Sequence, residues 1–168
     1  MIIRPETSSD YPEIKQVNIL AFGRESEAKL VEKIRNSKGY IPQLSLVAEI
    51  EGVIVGYIML SYINLLEDES ILVLALAPVA VLPKFQRQGI GSALIREGIK
   101  KADSVGEAMI IVLGEPEFYS RFGFECSLNF GIESPFEVPA RFFMVKSLQK
   151  YNQSYRGKVV YSEAFDQV

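Results

Sequence analysis

The residues best placed to do chemistry are Gln86-Arg87-Gln88-Gly89-Ile90-Gly91, a glycine-bearing turn between two apolar segments. The segment before it, residues 71–82, reads as a strand, and a helical pattern continues from Ser92. The unpaired N–H groups of a helix's first turn and the positive end of its dipole converge on one point, which attracts anions. Because glycine lacks a Cβ atom, a phosphate can approach the backbone closely. The turn is therefore predicted to hold a phosphorylated ligand.

Two common phosphate loops do not fit this turn. A Walker A loop needs four residues between its glycines and a Lys after the second, whereas Ile90 alone separates Gly89 from Gly91 and no Lys follows. A dinucleotide-binding fingerprint needs a third glycine, where Leu94 stands, and an acidic residue about 20 positions later, where the sequence is apolar. The remaining pattern is Gln/Arg-x-x-Gly-x-Gly. A glycine-rich helix start that merely packs tightly is its alternative interpretation.

Composition narrows the classes of function. The 168 residues, 48% of them hydrophobic and 23% charged, are typical of one soluble globular domain. A net charge of −3 disfavours a general attraction to nucleic acid. With no histidine and a single Cys126, neither a metal site nor an internal disulfide is expected, and a reducing cytoplasm is the expected location. The longest apolar run, residues 71–82, is too short to span a membrane, and the N-terminus lacks the pattern of a signal peptide.

The hydrophobic periodicity predicts an α/β domain built on one mostly antiparallel sheet, in the order β-α-α-β-β-β-α-β-α-β followed by a tail. Strands are expected at residues 2–4, 44–50, 53–60, 71–82, 108–113, 141–148 and 158–161, and helices at about 10–22, 25–36, 91–104 and 116–122. This order places the glycine turn between a long apolar strand and the helix that follows it.

Pro78 interrupts that long strand, residues 71–82. A proline cannot donate a hydrogen bond to the ladder, so it marks either a bulge or an edge strand. Because the strand is apolar on both faces, we expect it to be central rather than at an edge. A bulge at Pro78 would break its pairing with strand 108–113 and leave backbone groups near Val79, Ala80 and Val81 free to meet a ligand.

The short predicted helix after strand 108–113 carries a tyrosine among phenylalanines. Phe118 and Phe122 are i,i+4 neighbours on this helix and are expected to share its core face. Tyr119 is rotated by about 100° from Phe118 and is expected to point towards the opening beside Pro78. A partly buried amphipathic tyrosine with no role in catalysis is the alternative.

Together, the glycine turn, the strand proline and the tyrosine helix resemble the GNAT superfamily of N-acetyltransferases, and in particular its YhbS-like bacterial branch. The resemblance covers roughly residues 1–148. It implies the GNAT fold, an α/β (α+β) arrangement of one mixed, mostly antiparallel sheet with helices on both faces, splayed between its fourth and fifth strands. It also implies a division into an acetyltransferase domain, residues 1–148, and a C-terminal tail, residues 149–168, expected to pack on the same domain.

The resemblance implies a site for acetyl-CoA as co-substrate and no metal. The pyrophosphate is expected on the glycine turn and the pantetheine arm beside the bulge, on residues Val79, Ala80, Val81, Gln86, Arg87, Gln88, Gly89, Ile90, Gly91 and Ser92. Tyr119 is the candidate general acid for the departing thiolate. A backbone N–H near Ala80 or Val81 is the candidate donor to the oxyanion.

The acceptor side is less defined by the sequence. Glu25 and Glu27 are candidates there, although acids of a first helical turn, favoured by the helix dipole, are the simpler interpretation. Many members of the superfamily carry a carboxylate in the fourth strand, whereas residues 71–82 contain none. No general base is therefore assigned, and an amine that arrives neutral would need none.

The predicted activity is transfer of an acetyl group from acetyl-CoA to a primary amine of a small molecule or peptide, by direct attack through a tetrahedral intermediate. Because the strand carboxylate is missing, a non-catalytic acyl-CoA-binding or sensor domain of the same fold is the alternative. Neither nucleic acid nor a membrane is an expected partner, and a monomer or homodimer is expected. The sequence does not identify the acceptor.

Overall fold

The computed structural model describes residues 1–166, and its elements largely follow the predicted order. In that part of the chain the helices are α1 (Tyr11–Phe22), α2 (Ser26–Arg35), α3 (Ile90–Ser104) and α4 (Pro116–Tyr119). The strands are β1 (Ile2–Pro5), β2 (Ser45–Ile50), β3 (Val53–Leu66), β4 (Ser70–Val81), β5 (Met109–Leu113), β6 (Glu125–Cys126), β7 (Ile132–Glu133), β8 (Phe143–Ser147) and β9 (Gly157–Val160).

These strands form one sheet in the order β1-β2-β3-β4-β5-β8-β6, and β9 pairs with both β3 and β7. Neighbours along the main path are antiparallel except β4 and β5, which are parallel. Leu94 and Ile95 of α3 are buried on one face of the sheet, and Ile14 of α1 and Leu30 of α2 are buried on the other. The predicted mixed, mostly antiparallel sheet with helices on both faces is confirmed.

The fourth and fifth strands separate after a short pairing. In the described chain β4 and β5 pair at Leu74–Ile110 and Ala75–Ile111. The register of β4 against β3 then shifts, so that Ala77 and Pro78 together lie opposite Met59. Two residues facing one is a β-bulge, which bends the strand and increases its twist. The predicted bulge at the proline is thus present, and the sheet opens between β4 and β5 beyond it.

Three details differ from the sequence-based expectation. Strand β3 continues to Leu66 instead of ending near residue 60, because Ile63 and Leu65 are buried and β9 pairs along this end. Strands β6 and β7 have two residues each, too few for a hydrophobic period to appear in the sequence. The predicted helix 116–122 is α4 followed by a 3₁₀ turn over Ser120–Phe122.

The predicted tail, residues 149–168, is described as far as Asp166, and residues 167 and 168 lie outside the described part. Strand β9 adds this segment to the edge of β3. Ala164 is buried in the core beneath α1 and α2, and the Lys33 ammonium donates to the Asp166 carbonyl at 3.3 Å. These contacts support the proposal that the tail packs on the same domain.

Candidate active site

The bulge decides which backbone groups of β4 face the opening. The Leu82 N–H donates to the Val55 carbonyl at 2.8 Å, and Ala80 lies opposite Tyr57 in the same register. Because hydrogen-bonded pairs alternate along an antiparallel ladder, Ala80 is bonded to β3, while Val79 and Val81 direct their N–H and C=O groups away from it. Of the two expected N–H donors, Ala80 and Val81, only that of Val81 therefore faces the opening. The free edge consists of Val79 and the N–H of Val81, since the Val81 carbonyl accepts from Gln86.

The glycine turn lies at the end of this free edge. Gln86 donates from Nε2 to the Val81 carbonyl at 2.9 Å, so its side chain holds the turn against β4. Gln88 donates from Nε2 to the Lys84 carbonyl at 3.3 Å and so links the two ends of the segment 84–88. The turn delivers the chain into α3, whose N-terminal N–H groups face a cleft of about 460 Å³.

Gly89 has two features that matter at the entrance to α3. Its φ of +84° lies in the left-handed region, which other residues adopt with strain. A Cβ atom built on it would meet no atom within 4 Å, so the space in front of it is open. A Cβ atom on Gly91 would meet Val81 Cγ2 at 3.7 Å, an ordinary contact. Neither glycine is thus crowded by protein atoms, and the space at the helix N-terminus is open.

The cleft also contains side chains that the sequence reasoning missed. It is lined by Val81, Phe85, Gln86, Arg87, Gly89, Ile90, Gly91, Ser92, Phe118 and Arg121. Arg87 and Arg121 are its charged members, and both are cationic. The Arg121 guanidinium lies 5.4 Å from the Phe118 ring centroid and 5.7 Å from that of Phe122. Two guanidinium groups and a helix N-terminus give this cleft a positive potential that suits a pyrophosphate.

Tyr119 lies at the other end of the opening. Its side chain is 8% exposed and borders a second cleft together with Pro78, Val79 and Leu113. Burial raises the pKa of Tyr119 to about 12, so the hydroxyl is protonated at neutral pH. The expected direction of Tyr119, towards the opening, agrees with this position.

The two phenylalanines beside Tyr119 share a core face, as expected. Phe122 is buried and Phe118 packs against the same part of the core, with the two ring centroids 5.2 Å apart. Phe118 is only partly buried and also borders the cationic cleft. The Tyr119 ring packs edge-on against Phe118 and Phe124, at centroid distances of 5.0 and 5.5 Å.

Gly114 allows the Tyr119 ring to occupy its position. A Cβ atom at Gly114 would lie 2.3 Å from Cε2 and 2.8 Å from Cδ2 of Tyr119, which is shorter than any real contact. The ring therefore lies directly on the backbone at the end of β5. No local pattern signals this glycine, because its partner is set by the turn that follows the strand.

Of the two candidate glutamates, Glu27 borders the second cleft, of about 340 Å³, and Glu25 does not. This cleft is lined by Phe22, Glu27, Leu30, Leu76, Ala77, Pro78, Val79, Val112, Leu113 and Tyr119. The Glu27 side chain is 12% exposed and accepts hydrogen bonds from Arg24 at 2.9 and 2.5 Å. These bonds hold the pKa of Glu27 below its ordinary value. Glu25 is 63% exposed, pairs with Lys29 at 3.8 Å and does not border this cleft.

Two features are absent from residues 1–166. No group of three or more Cys, Asp or Glu side chains in this range lies close enough together to hold a metal ion. No helix of the same range is long and apolar enough to cross a membrane.

The site combines an open sheet and a bulged strand with a cationic helix N-terminus at one end of the opening and a protonated tyrosine at the other. This arrangement suits the acyltransferase class of enzymes. Residues 42–126 match the family model of the acetyltransferase (GNAT) domain. The uncharacterized N-acetyltransferase YjhQ of Escherichia coli K12 is 38% identical over 133 residues, which cover 78% of this chain and 74% of YjhQ. The uncharacterized N-acetyltransferase YhbS of the same strain is 33% identical over 145 residues, covering 82% and 86%.

Two solved structures share the whole architecture. E. coli YhbS in complex with CoA superposes with a TM-score of 0.90 at 30% identity, covering 99% of this chain and 92% of that one. A GNAT family acetyltransferase from Brucella melitensis in complex with acetyl-CoA gives a TM-score of 0.81 at 31% identity, covering 98% and 97%. The chain belongs to the GNAT family of N-acetyltransferases, and it is an acyltransferase.

Proposed function

We propose that this acyltransferase moves the acetyl group of acetyl-CoA to a primary amine by direct attack of the amine. The observation that carries the proposal is the free edge of β4 at Val79 and Val81, which joins the cationic cleft to the tyrosine cleft. An extended ligand laid along this edge would have a phosphate at one end and a reacting group at the other. Structures of the relatives from E. coli and B. melitensis, in complex with CoA and acetyl-CoA, support this assignment.

The residues present fit the phosphate end of CoA. Open space in front of Gly89, the N–H groups of the first turn of α3 and the cations of Arg87 and Arg121 suit a pyrophosphate. Gln86 keeps the turn in place, while Gln88 closes it from below. The site residues expected from the sequence, Ile90 and Ser92 among them, border the same cleft apart from Val79, Ala80 and Gln88.

Val79 and Val81 are proposed to pair with the pantetheine amides, as an added strand pairs with a sheet edge. The Ala80 backbone is withdrawn from this role, since Ala80 is bonded to Tyr57 of β3. Its side chain is buried beneath the helices, so its contribution is to packing. The N–H of Val79 or Val81, rather than that of Ala80, is then the proposed donor to the oxyanion.

Acetyl-CoA supplies an activated acetyl group, and the chain's own residues position it and manage protons. As the N–C bond forms and the C–S bond breaks, the proton lost by the amine must end on the sulfur or in water. The Tyr119 hydroxyl is proposed to donate to the departing sulfur, because it is protonated at neutral pH and Tyr119 borders the opening beside Pro78. The tyrosinate then recovers a proton from water, which balances the proton that the amine has lost to water.

Glu27 is proposed to bind the acceptor, and Glu25 is not, since it lies outside the tyrosine cleft. Arg24 keeps Glu27 ionised, which makes it a weak base but a good partner for an ammonium group. The amine is therefore proposed to lose its proton to water. No side chain is assigned as general base.

The test is release of CoA thiol from acetyl-CoA with a panel of amines, comparing the wild type with Tyr119→Phe. Loss of the hydroxyl should slow turnover by about 10²–10⁴-fold without weakening CoA binding. Tyr151→Phe is the matched control, because Tyr151 packs against Phe130 away from both clefts. Equal rates for the wild type and Tyr119→Phe would remove Tyr119 from the mechanism. CoA binding with no acetylation of any amine would favour the sensor domain.

A further inference from the structure

The cleft beside Tyr119 has a lining with little polarity. Of its described lining residues Glu27 is the charged one, and the rest are aliphatic or aromatic, with the Tyr119 hydroxyl as the other polar group. Apart from the backbone groups of Val79, which are proposed to pair with pantetheine, such a lining offers few partners for hydroxyl or amide groups of an acceptor. Each ligand polar group that enters it without a partner loses its hydration and gains nothing in return.

Two apolar side chains face solvent at this cleft. Phe22, the last residue of α1, is 39% exposed, and Leu113, the last residue of β5, is 44% exposed. Both border the cleft, one from the helical side and one from the strand side. An apolar body placed between them would remove both from water, which favours binding in proportion to the buried area.

Aromatic rings pack beyond Leu113, and the first of them, Phe143, is fully buried. Leu113 lies opposite Phe143 in the sheet, and the Phe136 ring packs 6.1 Å from that of Phe143. The Tyr161 ring follows at 5.2 Å from Phe136, and Phe165 at 4.9 Å from Tyr161. Phe165 also packs against the core beneath α1 and α2. The C-terminal segment therefore places aromatic rings next to the strand side of the cleft.

The charge of the cleft suits one ammonium group and not several. Glu27 is already paired with Arg24, so the two together carry no net charge. One ammonium group can share the Glu27 carboxylate, but a second on the same ligand would lie among Leu30, Leu76 and Val112. An unpaired charge in such surroundings is strongly disfavoured.

The geometry points to an acceptor that carries a single primary amine on an aromatic or branched aliphatic body, seated between Phe22 and Leu113 with its nitrogen at Glu27. This assignment rests on the proposed acetyl transfer for its purpose, but the binding itself can be measured without turnover. Polyamines and aminoglycosides, which carry several ammonium groups or many hydroxyls, are the excluded classes.

The experiment is calorimetric titration of the full chain with phenethylamine and with spermidine, in the presence and in the absence of saturating CoA. We expect phenethylamine to bind at least tenfold more tightly than spermidine. Phe22→Ser should weaken phenethylamine binding about tenfold, which is the lower end of the discrimination of a hydrophobic pocket. Leu72→Ser removes an even more exposed apolar side chain, on β4, that does not border the cleft, and it should change nothing.

Tighter binding of spermidine, no binding of phenethylamine under either condition, or an unchanged affinity in Phe22→Ser would each overturn the inference. If the protein acetylates spermidine but not phenethylamine, the inference about the acceptor is overturned and the proposed acetyl transfer stands. Conversely, the protein could bind phenethylamine in a way that depends on Phe22 and yet fail to bind CoA. That result would contradict the proposed function and support the inference about the cleft.

Discussion

Replacing Gly114 by alanine is the sharpest test of how Tyr119 is positioned. The new Cβ atom would lie 2.3 Å from Cε2 of the ring, so the ring must move by about 1 Å or more to reach an ordinary contact distance. Phe118 and Phe124 pack edge-on against the ring and limit the directions in which it can move. The displaced hydroxyl would then miss the opening beside Pro78.

Two magnitudes follow for Gly114→Ala. Overpacking a core typically costs about 1–3 kcal/mol, which lowers the melting temperature of a chain of this length by roughly 2–12 °C. A misplacement of about 1 Å at a reacting group costs on the order of 10²-fold in rate. We therefore expect kcat to fall about 10²-fold while the KM for acetyl-CoA stays near that of the wild type.

The assay is steady-state thiol release, combined with thermal unfolding of the same samples. Gly98→Ala is the matched control, since a Cβ atom at Gly98 in α3 would meet only Leu60 and Ile58, at 3.5 Å or more. It should keep full activity and gain up to about 1 kcal/mol of stability from its helical position. In a Tyr119→Phe background, Gly114→Ala should lower the melting temperature as before but change kcat little, because the hydroxyl is already gone.

Two results would refute this reasoning. If Gly114→Ala lowers the melting temperature but keeps kcat within about threefold (a difference under 1 kcal/mol), the position of the hydroxyl does not matter for the reaction. If Gly114→Ala costs the same factor in the Tyr119→Phe background as in the wild type, the substitution acts through the backbone of β5 and not through the tyrosine.

Two further outcomes are expected. Gly89→Glu should abolish CoA binding in calorimetry, because a carboxylate would enter the open space at the α3 N-terminus. Gly106→Glu is the control: at φ +89° and equally open, it should bear similar strain and bind CoA normally. Similar CoA affinities in the two variants would count against the phosphate site. Arg4 holds the pKa of Asp10 at about 2, so ionised Asp10 stabilises the fold above its unfolded pKa of about 3.9 and loses that effect as the pH falls towards 2. Asp10→Asn should therefore be less stable than the wild type by about 1 kcal/mol at pH 7 after solvent screening at Arg4, and a gap in urea unfolding that stays constant down to pH 3 would contradict the assignment.

The parts of the site that the sequence predicted are those with a local signature. A Gly-x-Gly turn before a helix and a proline inside an apolar strand each constrain the backbone where they stand, and both appear where expected. Glu25 and Glu27 are predicted together from the sequence, without a choice between them, although the helical pattern distinguishes the two. Glu27 shares a helical face with Leu30, Val31 and Ile34, all of which are buried.

The parts that could not be predicted depend on tertiary geometry. The bulge shifts the alternation of β4 by one residue, so the withdrawal of the Ala80 backbone could not be read from the sequence. Arg121 borders the cationic cleft from the 3₁₀ turn that follows α4. The contact between Gly114 and Tyr119 crosses that same turn. Each of these requires knowing where one element ends and at what angle the next begins.

Val81 joins the strand and the turn into one rigid piece. Its carbonyl accepts from Gln86, and its side chain lies against the place where Gly91 enters α3. The distance between the proposed phosphate site and the proposed amide-pairing edge is thus fixed when the chain folds, and binding would not have to order one relative to the other. On this proposal Gln86 contributes to affinity through preorganisation: its loss would loosen the spacing between the two proposed sites.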